Sequence, residues 1–147
     1  MPISFLEHAY QEAEKAYQKN EVPIGCVIVQ NNRIIAAAHN EKETRQDCTE
    51  HAEIRAIKLA SSTLNQWRLL DCDLYSTCEP CLMCASAIIH ARIKTVFYGV
   101  SDSKWGGETQ FNIFSKQLFN HTIKYEYIPH EKSKTLLQQF FKEKRTA

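Results

Sequence analysis

Long apolar runs are missing from this chain. The longest, such as Ile34–Ala38, span about five residues, far short of the roughly 20 that cross a bilayer as a helix, so no membrane partner is expected. Glycine and proline are scarce, four of each in 147 residues, which excludes collagen-like and low-complexity architectures. An excess of one charge sign is missing as well. The 18 Lys and Arg balance 17 Asp and Glu, for a net charge of +1. That excludes a histone-like basic protein and an acidic solvating tail. It does not exclude a nucleic-acid partner, because a local patch binds where the total says nothing. The first ten residues lack the basic segment and apolar run of a secretory signal, so the cytoplasm is the expected compartment.

What is present reads as one ordinary domain, residues 1–147, with 44% hydrophobic and 24% charged residues and enough length to bury a single core. Residues 4–19 predict an amphipathic helix with Ser4 as a cap and Phe5, Leu6, Ala9, Ala13, Ala16 and Tyr17 on one face. Ile24–Val29 and Arg33–Ala38 predict a hairpin around Gln30-Asn31-Asn32, since Asn tolerates positive φ. Residues 40–48 read as a loop, and His51–Ser61 as a helix with Thr49 as a cap. Asp73–Thr77 predicts a strand, Cys81–His90 a buried helix with Pro80 in its first turn, and Thr95–Gly99 another strand. Residues 101–109 read as a polar loop, Phe111–Phe119 is ambiguous, Ile123–Ile128 alternates like a strand, and Glu131–Arg145 closes the chain as a helix. Five strands mixed with helices suggest a layered α/β domain, with strand order left open.

Six cysteines in a chain expected in the cytoplasm do not point to a disulfide framework. Three of them cluster as Cys78, Cys81 and Cys84. The segment Glu79-Pro80-Cys81-Leu82-Met83-Cys84 follows His51-Ala52-Glu53 by about 30 residues. A catalytic zinc site needs three protein ligands and one open position. Cys81 and Cys84, three apart at a helix start, can place two thiolates on one metal, and His51 can bring the third ligand from another helix start. Helix N-termini favour thiolates through their free N–H groups and dipole. Glu53, two residues after His51, can border the same cavity without ligating, and there a carboxylate can move protons between water and substrate. Zinc lowers the pKa of a bound water to about 7.

Each part alone has a plainer reading. A lone histidine at a helix start is commonly a cap or a surface residue, and Glu79 can be a solvated turn residue or a supporting one. Cys78, Cys81 and Cys84 also form C-x-x-C-x-x-C, an iron–sulfur type of spacing. The fourth cysteine of such a run is missing, since Ala85-Ser86-Ala87 follows. Taken jointly, H-x-E…P-C-x-x-C is the known signature of zinc nucleobase deaminases, matched here in both halves.

Beyond that signature, the chain carries Asn20-Glu21-Val22-Pro23-Ile24-Gly25, Asn40 after the second strand, Ala87-Ile88-Ile89-His90-Ala91-Arg92-Ile93 and Tyr98-Gly99-Val100-Ser101-Asp102-Ser103-Lys104. From about residue 5 to 143 it resembles the bacterial tRNA-specific adenosine deaminases, zinc enzymes of the cytidine-deaminase-like superfamily. The resemblance implies a three-layer α/β/α fold with a central mixed five-stranded sheet. It implies hydrolytic conversion of the wobble adenosine of a tRNA anticodon to inosine, by zinc-bound hydroxide with Glu53 as proton shuttle. His51, Cys81 and Cys84 would bind one Zn2+ per chain, Asn40 would bond the target nucleotide, and Val22 and Ile24 would wall the base pocket. Backbone N–H groups near Ala52 and Cys81 would steady the water and leaving group, and Cys78 would line the pocket. The implied partners are a tRNA anticodon stem-loop and a second copy of the chain.

The chain departs from its relatives at Cys26 and Cys48, where many carry Ala and Pro, and at Cys78, where an apolar residue is common. After Lys104, Trp105-Gly106-Gly107-Glu108-Thr109 replaces a small-residue run. These departures keep open a free-base or nucleoside deaminase for guanine, cytosine or cytidine. Charge is unevenly spread: residues 1–53 carry five Lys/Arg against nine Asp/Glu, and residues 54–147 carry thirteen against eight. Lys142, Lys144 and Arg145 end the last helix and could meet phosphates, or could simply be solvated. Trp105, Phe111 and Phe114 could stack on bases or belong to the core.

Overall fold

The computed structural model describes residues 2–117 and 120–146. In chain order the elements are α1 (Pro2–Gln18), β1 (Gly25–Gln30), β2 (Arg33–His39), α2 (Lys42–Arg45), α3 (Ala52–Leu64), β3 (Cys72–Ser76), α4 (Leu82–His90), β4 (Thr95–Tyr98), α5 (Gly107–Phe111), β5 (Lys124–Tyr127) and α6 (Glu131–Thr146). The five strands make one mixed sheet in the order β2-β1-β3-β4-β5. β1 pairs antiparallel with β2 and β3, whereas β3, β4 and β5 run parallel. The β1–β2 hairpin turns through Asn31 and Asn32, both at positive φ (50° and 65°), the backbone that a two-residue hairpin matched to strand twist requires.

Alternation along the strands sorts the two faces. Cys26, Ile28, Leu74 and Val96 join the larger core with α3 and α4, while Val27, Val29 and Tyr75 pack with Leu6 and Ala9 of α1. α6 lies against α1 and buries Leu137 and Phe140. The result is the three-layer α/β/α arrangement. Small side chains set its spacing. α1 buries Ala9, Ala13 and Ala16, and α3 buries Ala52, Ala56 and Ala60 at four-residue intervals, so one alanine face of each helix lies close on the sheet. The approach is tightest at Gly25, where any Cβ would overlap the Ala9 carbonyl oxygen and the Ala13 nitrogen of α1.

Several local expectations change. Ser4 is not a cap: it lies inside α1, which begins at Pro2, a residue whose fixed φ suits a first turn. Thr49 does not cap α3, because its hydroxyl and N–H both bond Asp47 (2.6 and 2.9 Å), and His51 holds the cap position. Pro80 precedes α4 and Cys81 is its cap residue. The two stretches read as loops contain α2 and the start of α5. Of the ambiguous Phe111–Phe119 stretch, Phe111 ends α5 and Phe114 is core, while Leu118 and Phe119 lie outside the described residues.

Gly25→Ala is expected to lose about 3 kcal/mol of stability, a fall of roughly 6–12 °C in Tm, because backbone rather than a flexible side chain must give way. Thermal unfolding of the purified variant checks this; a Tm within 1 °C of the parent would contradict the tight α1–β1 approach.

Candidate active site

Two helix starts meet here. His51 caps α3 and Cys81 caps α4, both with extended backbone (ψ 157° and 174°), and neither side chain makes a capping hydrogen bond. Instead they turn toward each other. His51 Nδ1 lies 3.7 Å from Cys81 Sγ and 3.5 Å from Cys84 Sγ, and the three ligand atoms all fall within 4.8 Å of one another. A tetrahedral zinc with ordinary Zn–S and Zn–N bonds would place sulfur and nitrogen roughly 3.5 Å apart. The donor set and its spacing therefore fit a metal such as zinc, with two soft thiolates and one imidazole. Among the described residues, Cys78 is not in this cluster, which removes support for a three-cysteine iron–sulfur reading.

Electrostatics at the cluster follow from its crowding. The Cys84 thiol bonds Cys81 and His51 stands beside it, so the Cys81 thiol is held down to about 4 despite burial. The Cys84 thiol is pushed up by that same bond and by burial. The opposite shifts describe one proton shared by two sulfurs. His51 is raised, chiefly by its bond to Cys81. Glu53, on the first turn of α3 and only 4% exposed, is pushed up to about 7 by desolvation and then by the Cys81 charge. Cys26 and Cys78 are buried nearby, and desolvation raises both thiols, so neither is disposed to act as a thiolate.

A second group of expected residues gathers where the segment before β1 meets the end of β2. The Asn40 backbone N–H donates to the Ile24 carbonyl (3.1 Å), its Nδ2 donates to the Val22 carbonyl (3.3 Å), and its Oδ1 accepts from the Lys42 N–H (3.1 Å). Asn40 thus uses half its carboxamide locally and keeps one N–H and one lone pair for another partner. Glu21, almost fully buried, accepts the Glu43 and Thr44 N–H groups (3.0 and 2.6 Å) and so caps α2. Next to Asn40, Glu41 is desolvated, yet Arg45, Lys19 and Arg55 hold its carboxyl down to about 2. A cavity of about 610 Å3 opens beside Val22, lined also by Lys19, Lys42, Phe140 and Lys144. It does not contain the His/Cys/Cys cluster.

Glu79 is the largest addition to the sequence reading. It is 3% exposed and accepts from the N–H groups of Asp102 (3.0 Å), Glu108 (3.1 Å) and Thr109 (2.8 Å), and from the Ser101 and Thr109 hydroxyls (3.3 and 2.6 Å). These bonds tie the 101–109 segment and the start of α5 to the residue before Pro80-Cys81. Gly106 must lack a side chain, because a Cβ there would overlap the Glu79 carboxylate. Glu21 and Glu79 carry no spacing signal of their own. The available clue was the placement of each beside a motif residue, Val22 and Pro80.

The layered fold and this donor set fall together in one class, the deaminases of the cytidine-deaminase-like fold. Comparison with known families matches residues 3–145 to the MafB19-like deaminases. The tRNA-specific adenosine deaminase of Aquifex aeolicus is 45% identical over 96% of this chain and 94% of its own length. A solved structure from work on A-to-I editing by tRNA:A34 deaminases at the wobble position of transfer RNA superposes with a TM-score of 0.87 at 39% identity, covering 92% of this chain and 99% of the other. The guanine deaminase of Bacillus subtilis is more distant, with a TM-score of 0.66 at 32% identity over 95% of this chain and 92% of the other. The chain belongs to the MafB19-like deaminases and, within them, to the tRNA-specific adenosine deaminase family.

Glu79→Gln is expected to cost about 3 kcal/mol, because either amide orientation sets an NH2 group against backbone N–H donors. Hydrogen exchange across residues 101–111 should accelerate while the protein still takes up one metal per chain. Unchanged exchange in that segment would show that Glu79 does not hold it.

Proposed function

We propose that this chain, as a single deaminase domain, hydrolyses adenosine to inosine at the wobble position of a tRNA anticodon, releasing ammonia. The observation that carries the reading is the full-length likeness to tRNA-specific adenosine deaminases, supported by a His/Cys/Cys cluster of the right donors. His51, Cys81 and Cys84 would hold zinc, which when bound supplies an activated water at neutral pH. Glu53 moves protons: its carboxylate takes one from the water and gives it to the adenine ring nitrogen, then takes the second from the hydroxyl now on C6 and gives it to the amine, which leaves as ammonia. Its burial on the first turn of α3, two residues from His51, suits a group that must both accept and give a proton at the reacting centre.

Asn40 orients the target nucleotide with the donor and acceptor left after its local bonds, and Val22 and Ile24 wall the base. The Ala52 N–H at the start of α3 is not capped by the His51 side chain and is available to the reacting oxygen. Cys78 lines the pocket as a neutral thiol. A base in a duplex could not enter, so the target is an unpaired loop nucleotide turned out of its stack. Lys19, Lys42 and Lys144 around the cavity beside Val22 suit a polyanion. Assembly as a homodimer and a cytoplasmic location complete the proposal on the strength of family likeness.

The test is mass spectrometry for inosine on a panel of anticodon stem-loops, beginning with ACG, beside ammonia release from guanine, cytosine and cytidine. Inosine from RNA is expected. Ammonia from a free base with no product from RNA would select the free-base reading, which the likeness to a guanine deaminase keeps in view. Glu53→Ala should retain metal and fold and lose at least about 100-fold in rate; loss of the metal in that variant would contradict its role as a proton carrier.

A further inference from the structure

The segment tied down by Glu79 displays an indole that the catalytic reading does not use. Trp105 is 69% exposed, the most exposed large apolar side chain among the described residues. Its backbone is nonetheless well anchored. The Asp102 carboxylate accepts from the N–H groups of Lys104 (2.9 Å) and Trp105 (3.0 Å), and the Asp102 N–H is itself held by Glu79. The next residue, Gly106, forms an isolated antiparallel bridge with Cys81, and the Gly107 N–H donates to the Pro80 carbonyl at 2.8 Å. One residue therefore separates a bare indole from a backbone pairing with a cluster residue. Phe114, nine positions on, is in the core, and Phe111, at the end of α5, is 49% exposed, so Trp105 is the more exposed of two surface aromatics on this segment.

We propose that Trp105 is a substrate-binding residue whose indole stacks on a nucleobase adjacent to the target adenosine. The proposal rests on the RNA-deaminase reading given above and names a contact of that same site. An adenosine that turns into a buried centre leaves its stack, and each neighbouring base loses an apolar partner. A ring carried on backbone that is already ordered, beside the residue that pairs with Cys81, replaces that partner with little further loss of chain entropy. Stacking of this kind is tolerant of base identity, because every base offers a π-face.

The experiment is steady-state deamination of an anticodon stem-loop, and of the same stem-loop with an abasic residue placed 5′ or 3′ of the target. Wild type, Trp105→Ala and Trp105→Tyr are compared. Trp105→Ala should raise KM about tenfold with kcat within about twofold of wild type. Trp105→Tyr should recover most of the loss, and Tm should be unchanged in both because the ring is exposed. On one of the two abasic substrates wild type and Trp105→Ala should become equal, which a merely structural role would not produce. A Trp105→Ala variant with wild-type KM, or a penalty that persists on both abasic substrates, overturns the stacking contact. A wild type that deaminates no stem-loop overturns the functional reading and this proposal with it, a result distinct from active wild type with no effect of the ring.

Discussion

Everything at this site depends on two helices beginning at one point. α3 starts at His51 and α4 at Cys81, neither of them an ordinary capping residue, and the two side chains turn toward each other. Neither helix start carries a Ser, Thr, Asp or Asn cap. Instead, a histidine and two thiols converge within one metal's reach, at the positive ends of two helix dipoles, where thiolate and developing negative charge are favoured. The convergence needs α3 to lie low on the sheet, and the alanine face Ala52, Ala56, Ala60 allows it. Larger residues there would lift the helix and carry His51 away from the cysteines.

Buried carboxylates are the second theme. Of the nine acids in residues 1–53, Glu12, Glu21, Glu41, Glu50 and Glu53 are buried. Glu21 spends its oxygens on backbone N–H groups, Glu12 bonds His39 and Lys15, and Glu41 and Glu50 pair with Lys19, Arg45, Arg55 and Lys58. The acidity of the first third is therefore largely internal and does not amount to a repulsive outer surface. A net charge of +1 understates how well such a molecule can receive a polyanion, since Lys42 and the exposed Lys144 line the cavity beside Val22 while much of the opposing charge is neutralised inside.

What could be read from the residues alone was whatever depends on neighbours in sequence. Asn31-Asn32 dictated a hairpin because few residues tolerate positive φ. The P-C-x-x-C spacing pointed to a ligand pair because i and i+3 on a helix start share a side, and His51 was added through the joint signature with H-x-E. The layered fold followed from strand and helix alternation and from family likeness. What could not be read depends on distant acceptors. α2 exists where a loop was expected because Glu21, 22 and 23 residues earlier, takes its first N–H groups. The start of α5 is organised in the same way by Glu79, across a separation of 29 and 30 residues. Local propensity contains neither bond. Ser4 and Thr49 misled for a related reason: a good cap residue caps only where the helix happens to begin.

The central claim is that His51, Cys81 and Cys84, and no further cysteine, hold a metal with one position left open for chemistry. Zinc-edge X-ray absorption on the metal-loaded protein tests it most directly. Two sulfur scatterers at about 2.3 Å and two nitrogen or oxygen scatterers at about 2.0–2.1 Å are predicted, one from His51 and one from an exchangeable ligand. Three or four sulfurs, which would bring Cys78 or Cys26 into the shell and close the site, would contradict the account.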